Sequence, residues 1–108
     1  MTSVVTRVEV CRTLARVRHE GRLTDAMLAA AEAEFEVLAI GIRWLPVSDE
    51  MIAQACTRPA TVLKALDAIH LASAQAVRDR SVPGLVFATH DRQLARAAAA
   101  LGFTVEGV

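Results

Sequence analysis

The chain has 108 residues, 54% of them hydrophobic and only 4% aromatic, and its twelve Lys and Arg residues are balanced by twelve Asp and Glu. That length bounds it at one domain, with an apolar share sufficient for a core built mainly from alanine and leucine. The cancelled charge excludes a global electrostatic pull on nucleic acid, so any contact with a polyanion has to come from a local patch or a bound cation.

Taken in chain order, Ser3 is placed to cap a helix running to about Glu20, with Gly21 as its stop. Thr24 opens a second helix through about Leu38, closed by Gly41. Ile42 to Val47 reads as a short strand. Ser48, followed by Asp49 and Glu50, caps a third helix through about Cys56, and Arg58-Pro59 breaks it. A longer helix is predicted from about Val62 to Arg80, then a turn at Pro83-Gly84 and a compact apolar strand over Leu85 to Ala88. Asp91 starts the last helix, which ends at Leu101-Gly102, and Phe103 to Val105 forms the final strand. Helices alternating with short apolar strands predict an α/β layer fold with a parallel sheet. Three strands are few for so many helices, so further strands are expected ahead of Met1.

Cys11 and Cys56 stand alone, without a CxxC or a Cys/His cluster, and read as buried thiols in a reducing compartment. Arg7 and Glu9 interrupt the N-terminus where a secretory signal would be apolar, and runs such as Val37 to Ile42 are too short to cross a bilayer. The expectation is a cytoplasmic protein without a membrane span. No G-x-S-x-G, phosphate-binding loop or G-x-G-x-x-G is present, which removes nucleophile-based hydrolysis and nucleotide-cradle chemistry. Eleven of the twelve basic residues are arginine, with Lys64 the exception. Arginine forks phosphate well, and a compositional bias of the source genome accounts for the excess equally.

Three acids stand out. Asp67 lies in the most apolar helix, where a buried carboxylate needs a cation or hydrogen bonds; alternatively it belongs to a solvated stripe with residues 64, 75 and 78. Asp91 follows the strand Leu85 to Ala88 by two residues, at the end where parallel sheets place ligands, and it is also a preferred helix cap. Glu9 has Arg12 at i+3, a spacing that a plain surface ion pair also explains. His70, one turn after Asp67, is either its hydrogen-bond partner or a packed helix residue.

Three segments in order resemble the PIN-domain ribonucleases, especially the toxins of VapC type. They are Ser3-Val4-Val5-Thr6-Arg7-Val8-Glu9-Val10, Leu66-Asp67-Ala68-Ile69-His70-Leu71-Ala72-Ser73-Ala74 and Ala88-Thr89-His90-Asp91-Arg92-Gln93-Leu94. The second is the most specific, and the resemblance covers essentially the whole chain. It implies a single PIN-like domain over residues 1–108, a three-layer α/β/α fold with a short parallel sheet. It further implies that Glu9, Asp67 and Asp91 are catalytic metal-site residues binding Mg²⁺ or Mn²⁺ at the C-terminal edge of that sheet. The implied activity is that of a metal-dependent endoribonuclease toxin hydrolysing RNA phosphodiester bonds. Thr89 is expected to support the site, and Arg7, Arg12 or Arg92 to contact flanking phosphates. A cognate antitoxin and a homodimer are the implied protein partners. Hard divalent cations do favour carboxylate oxygens, and crowded carboxylates need a cation to coexist.

The sequence departs from the family at its start. The family's first strand, ending in an aspartate in an Asp-Thr/Ser-x-x-Leu context, has no counterpart, and Met1-Thr2-Ser3 falls at the end of what corresponds to the second strand. The expectation is therefore a domain incomplete at its N-terminus, with the central strand missing, weaker metal binding, unpaired strand edges and an exposed apolar helix face. Two alternatives stand beside the ribonuclease. One is a catalytically inactive PIN remnant acting only as an antitoxin-binding or self-associating module. The other is an unrelated small α/β domain.

Overall fold

The structure, a computed structural model, describes residues 1–57 and 62–108. It is an α/β arrangement of five helices and four short strands among the described residues, divided into two compact units, Met1–Pro46 and Val47–Val108. The predicted helix break at Arg58-Pro59 lies outside the described residues.

In the first unit, β1 (Thr2–Ser3) pairs in parallel with β2 (Trp44–Leu45), Thr2 opposite Trp44 and Ser3 opposite Leu45. The connection between them runs through α1 (Val5–His19) and α2 (Asp25–Ile40). Ser3 is not the cap of α1. It is buried in the strand, and Val4 takes the cap position with no side-chain hydrogen bond. Pairing with a segment some forty residues away, which local cap rules do not see, decides this. Thr2 and Ser3 are the two residues of this short strand. Helix α1 stops as read: Gly21, at φ 75°, donates to Arg18 O and Arg22 donates to Val17 O, the paired bonds of a glycine-terminated helix. Thr24 caps α2 as predicted, its hydroxyl accepting from Met27 N at 3.1 Å.

The aromatic cluster of this unit joins α2 to β2. Phe35 meets Trp44 edge-on at 6.3 Å, and Trp44 Nε1 donates to Ala39 O at 3.1 Å. Helix α1 carries no buried residue, and α2 buries only Ala39 while Met27, Val37, Leu38 and Ile40 are exposed.

The second unit holds the main hydrophobic cluster. Helices α3 (Asp49–Ala55) and α4 (Ala65–Asp79) precede β3 (Val86–Ala88), α5 (Arg92–Ala100) and β4 (Thr104–Glu106). Ser48 caps α3, accepting from Met51 N at 3.2 Å. Strands β3 and β4 are parallel, with Val86, Phe87 and Ala88 opposite Thr104, Val105 and Glu106, so β3–α5–β4 is a crossover unit of the kind the alternating pattern implied. The α4 helix starts at Ala65, three residues later than read.

Leu71, Leu94, Ala97, Ala98 and Phe103 form the buried centre of this unit, with Leu63, Ala74, Leu85, Phe87 and Val105 packed around them. The small side chains of α5 permit this closeness: three of its five alanines, Ala95, Ala97 and Ala98, are buried. Gly102, at φ 84°, ends α5 while Phe103 N donates to Ala98 O at 3.1 Å. That termination turns Phe103 inward against Phe87 at 5.8 Å, so the predicted final strand begins one residue later.

Both cysteines are free and exposed, correcting their reading as buried thiols. Cys11 rides on α1, which buries no side chain, and Cys56 is the last cap residue of a two-turn helix, so neither position offers a core to enter. No helix among the described residues is long and apolar enough to cross a membrane.

Candidate functional site

Asp91 is held by its own turn and by the helix it opens. Strand β3 ends at Ala88, and Thr89 N continues the ladder to Glu106 O at 2.9 Å. The chain then turns: Asp91 N donates to Thr89 Oγ1 at 3.1 Å, which fixes the backbone of the aspartate. Asp91 Oδ1 accepts from both Gln93 N and Leu94 N at 2.8 Å and so caps α5. The cap and the ligand readings of Asp91 are therefore compatible. Its Oδ1 is spent on the helix, while Oδ2 takes no hydrogen bond among the described residues and the side chain is exposed at the C-terminal end of a parallel strand.

Asp67 sits in the first turn of α4, where the positive end of the helix dipole favours a carboxylate. It is half-buried, and of the stripe proposed for it only Lys64 is exposed. Gln75 Oε1 accepts from Gln54 Nε2 at 3.4 Å, and Arg78 lies 4.4 Å over the Phe103 ring and donates to Leu101 O, so these residues do not form a solvated face. Gln93 Nε2 donates to Val62 O, tying the first turn of α5 to the segment that leads into α4. Asp67 follows Val62 by five residues and Asp91 precedes Gln93 by two, so this tether joins the helix starts that carry the two acids.

Glu9 belongs to the other unit, half-buried on α1. Among the described residues, no group of three or more His, Cys, Asp or Glu is gathered closely enough to hold a metal ion. The donor chemistry of three carboxylates suits a hard cation. Arg7 is occupied elsewhere: its guanidinium pairs with Glu36 at 3.1 Å and lies 4.5 Å from the Trp44 ring centre and 5.9 Å from that of Phe35. Of the three arginines expected at flanking phosphates, Arg12 and Arg92 are exposed and Arg7 is half-buried.

Sequence reasoning did not single out the partners that immobilise the Asp91 loop. His90 Nδ1 lies 2.7 Å from Gly107 O, and Gly107, at φ 101°, packs so closely that a Cβ there would lie 2.6 Å from Thr89 O. A glycine one residue past a final strand was the available signal.

The PIN domain family matches residues 1–100 of the chain. The match crosses all but the last strand, and the chain belongs to this family, which is of nuclease type and typically uses a divalent metal ion. No curated protein and no solved structure matches it.

Proposed function

We propose that this chain is a metal-dependent endoribonuclease of the toxin type, with both compact units forming one PIN domain, and with Glu9, Asp67 and Asp91 holding Mg²⁺ or Mn²⁺. The observation that carries the reading is Asp91, exposed at the C-terminal end of β3 with one carboxylate oxygen on the helix and the other taking no hydrogen bond among the described residues, in a chain matched to the PIN family over residues 1–100. A divalent cation, when bound, offsets phosphate charge and lowers the pKa of water for attack on a phosphodiester. Asp91 offers Oδ2, Thr89 holds its backbone, and Glu9 and Asp67 supply the remaining carboxylate oxygens. RNA is the substrate, and a cognate antitoxin and a second copy of the chain are the proposed protein partners. A cytoplasmic location suits two exposed free thiols, which persist in a reducing compartment.

The test is incubation of the 108-residue chain and an Asp67→Ala variant with structured RNA in Mn²⁺ or Mg²⁺, with and without chelator. Cleavage that needs both the metal and Asp67 is the expected result. A folded chain that leaves RNA intact overturns the activity and leaves a module that binds an antitoxin or itself without cutting.

A further inference from the structure

We propose that His90 is a positioning residue for Asp91, acting through a clasp between its Nδ1–H and the carbonyl of Gly107. The inference rests on the reading of Asp91 as a functional carboxylate, and it adds a residue beyond the three acids.

The geometry fixes the proton. Gly107 O accepts only, so the His90 nitrogen 2.7 Å away must be the donor, and the ring is held with hydrogen on Nδ1. The clasp closes a small circuit. Thr89 N donates to Glu106 O, the neighbour of Gly107, at 2.9 Å, and Gly107 packs on the Thr89 peptide, so His90 is pinned on the residue next to Asp91. Asp91 in turn is tied back to Thr89 Oγ1 at 3.1 Å. Three successive residues, Thr89, His90 and Asp91, thus each make a bond that restrains the same turn. The restraint matters because Asp91 Oδ1 is already committed to two amides, which makes the direction of Oδ2 depend on the turn itself. Hydrogen bonds behind a ligand residue act on its orientation in this way, and their loss costs about 10- to 100-fold in affinity or activity.

Gly107 is required on two counts. A side chain there collides with Thr89 O, and φ 101° is a conformation that other residues avoid. It also lies beyond residue 100, outside the stretch matched to the family.

The experiment compares the full chain with His90→Ala, His90→Asn, His90→Gln and Gly107→Ala. Asparagine places an N–H near the Nδ1 position and glutamine near Nε2, so they separate the two ring nitrogens. Long-range ¹H–¹⁵N correlation on the unmodified chain is expected to show hydrogen on Nδ1. Amide exchange at Gln93 and Leu94 is expected to quicken in His90→Ala and Gly107→Ala and to return toward the unmodified rate in His90→Asn. Mn²⁺-dependent RNA cleavage is expected to fall about 10-fold or more in both of the first two variants, with His90→Asn rescuing and His90→Gln not. Hydrogen on Nε2 with none on Nδ1, unchanged amide exchange in His90→Ala, or rescue by glutamine alone overturns the clasp. An unmodified chain that cuts no RNA sinks the ribonuclease reading, while the tautomer and exchange results still decide the clasp.

Discussion

Asp91 Oδ1 accepts the Leu94 amide at 2.8 Å and, at the same distance, that of Gln93, so a single carboxylate oxygen closes the first turn of α5. The structural role of this aspartate and the chemical one proposed for it are therefore separable. Asp91→Ala should cost about 1 kcal/mol of stability through the lost cap, whereas Asp91→Asn should stay within a few tenths because asparagine caps equally well. Both should abolish metal-dependent RNA cleavage. Urea unfolding followed by circular dichroism, alongside an RNA-cleavage assay, checks the pair; activity retained in Asp91→Asn would leave Asp91 as a cap alone.

Arg7 makes two kinds of contact at once, with the Glu36 carboxylate and with the Trp44 face. Its pair with Glu36 is exposed and worth little in isolation, and stacking adds about 0.5–1 kcal/mol. Arg7→Ala is expected to destabilise the chain by about 1 kcal/mol in urea unfolding. Arg7→Lys should recover only part of this, because an ammonium lacks the planar guanidinium that lies over the ring. Equal stability of all three would place Arg7 outside the packing.

Phe103 is 7% exposed and touches Phe87 on one side and Arg78 on the other. Phe103→Ala should cost about 3–5 kcal/mol, a large part of the stability of a domain this size. The measurement is a denaturant midpoint, or, where the variant does not fold, loss of dispersed methyl resonances. A loss below about 1 kcal/mol would mean that the ring is not packed.

The Arg18 guanidinium donates to Asp25 Oδ1 at 2.6 Å, and this hydrogen bond, reinforced by the opposite charge, holds the Asp25 carboxyl below its ordinary value. A carboxylate lowered by folding contributes stability that is present above its unfolded value and is lost as pH falls through the folded one. Stability of the unmodified chain should thus fall at the acid end of the carboxylate range, and Asp25→Asn should fall less steeply there. Both partners are exposed, so the difference should be small and should shrink with added salt. Parallel acid-unfolding curves that do not diverge would remove the pair from the pH response.

What was legible in the sequence follows the range of each interaction. Thr24, Ser48 and Asp91 could be read as caps because each bonds an amide two or three residues away. Ser3 carries the same chemistry and was misread, because its partner strand begins at Trp44 and no local rule reports that. The cysteines were misjudged from the average behaviour of their residue type, whereas exposure here is set by which helix faces are covered. For the site, the position of Asp91 after β3 was legible from an apolar run followed by a cap. The role of Gly107 was not, since it arises from a φ of 101° and a parallel pairing that bring it over Thr89.

Trp44 is the sole tryptophan of a chain without tyrosine, and it lies in the Met1–Pro46 unit. Its fluorescence is therefore an optical label on that unit, built in without modification, while the Val47–Val108 unit contributes almost no emission above the phenylalanine band. Far-ultraviolet dichroism reads the helices of both. Melting the chain once and recording both signals thus counts its cooperative units: superimposed curves mean that the halves unfold as one domain, and an early or late indole transition means that they do not.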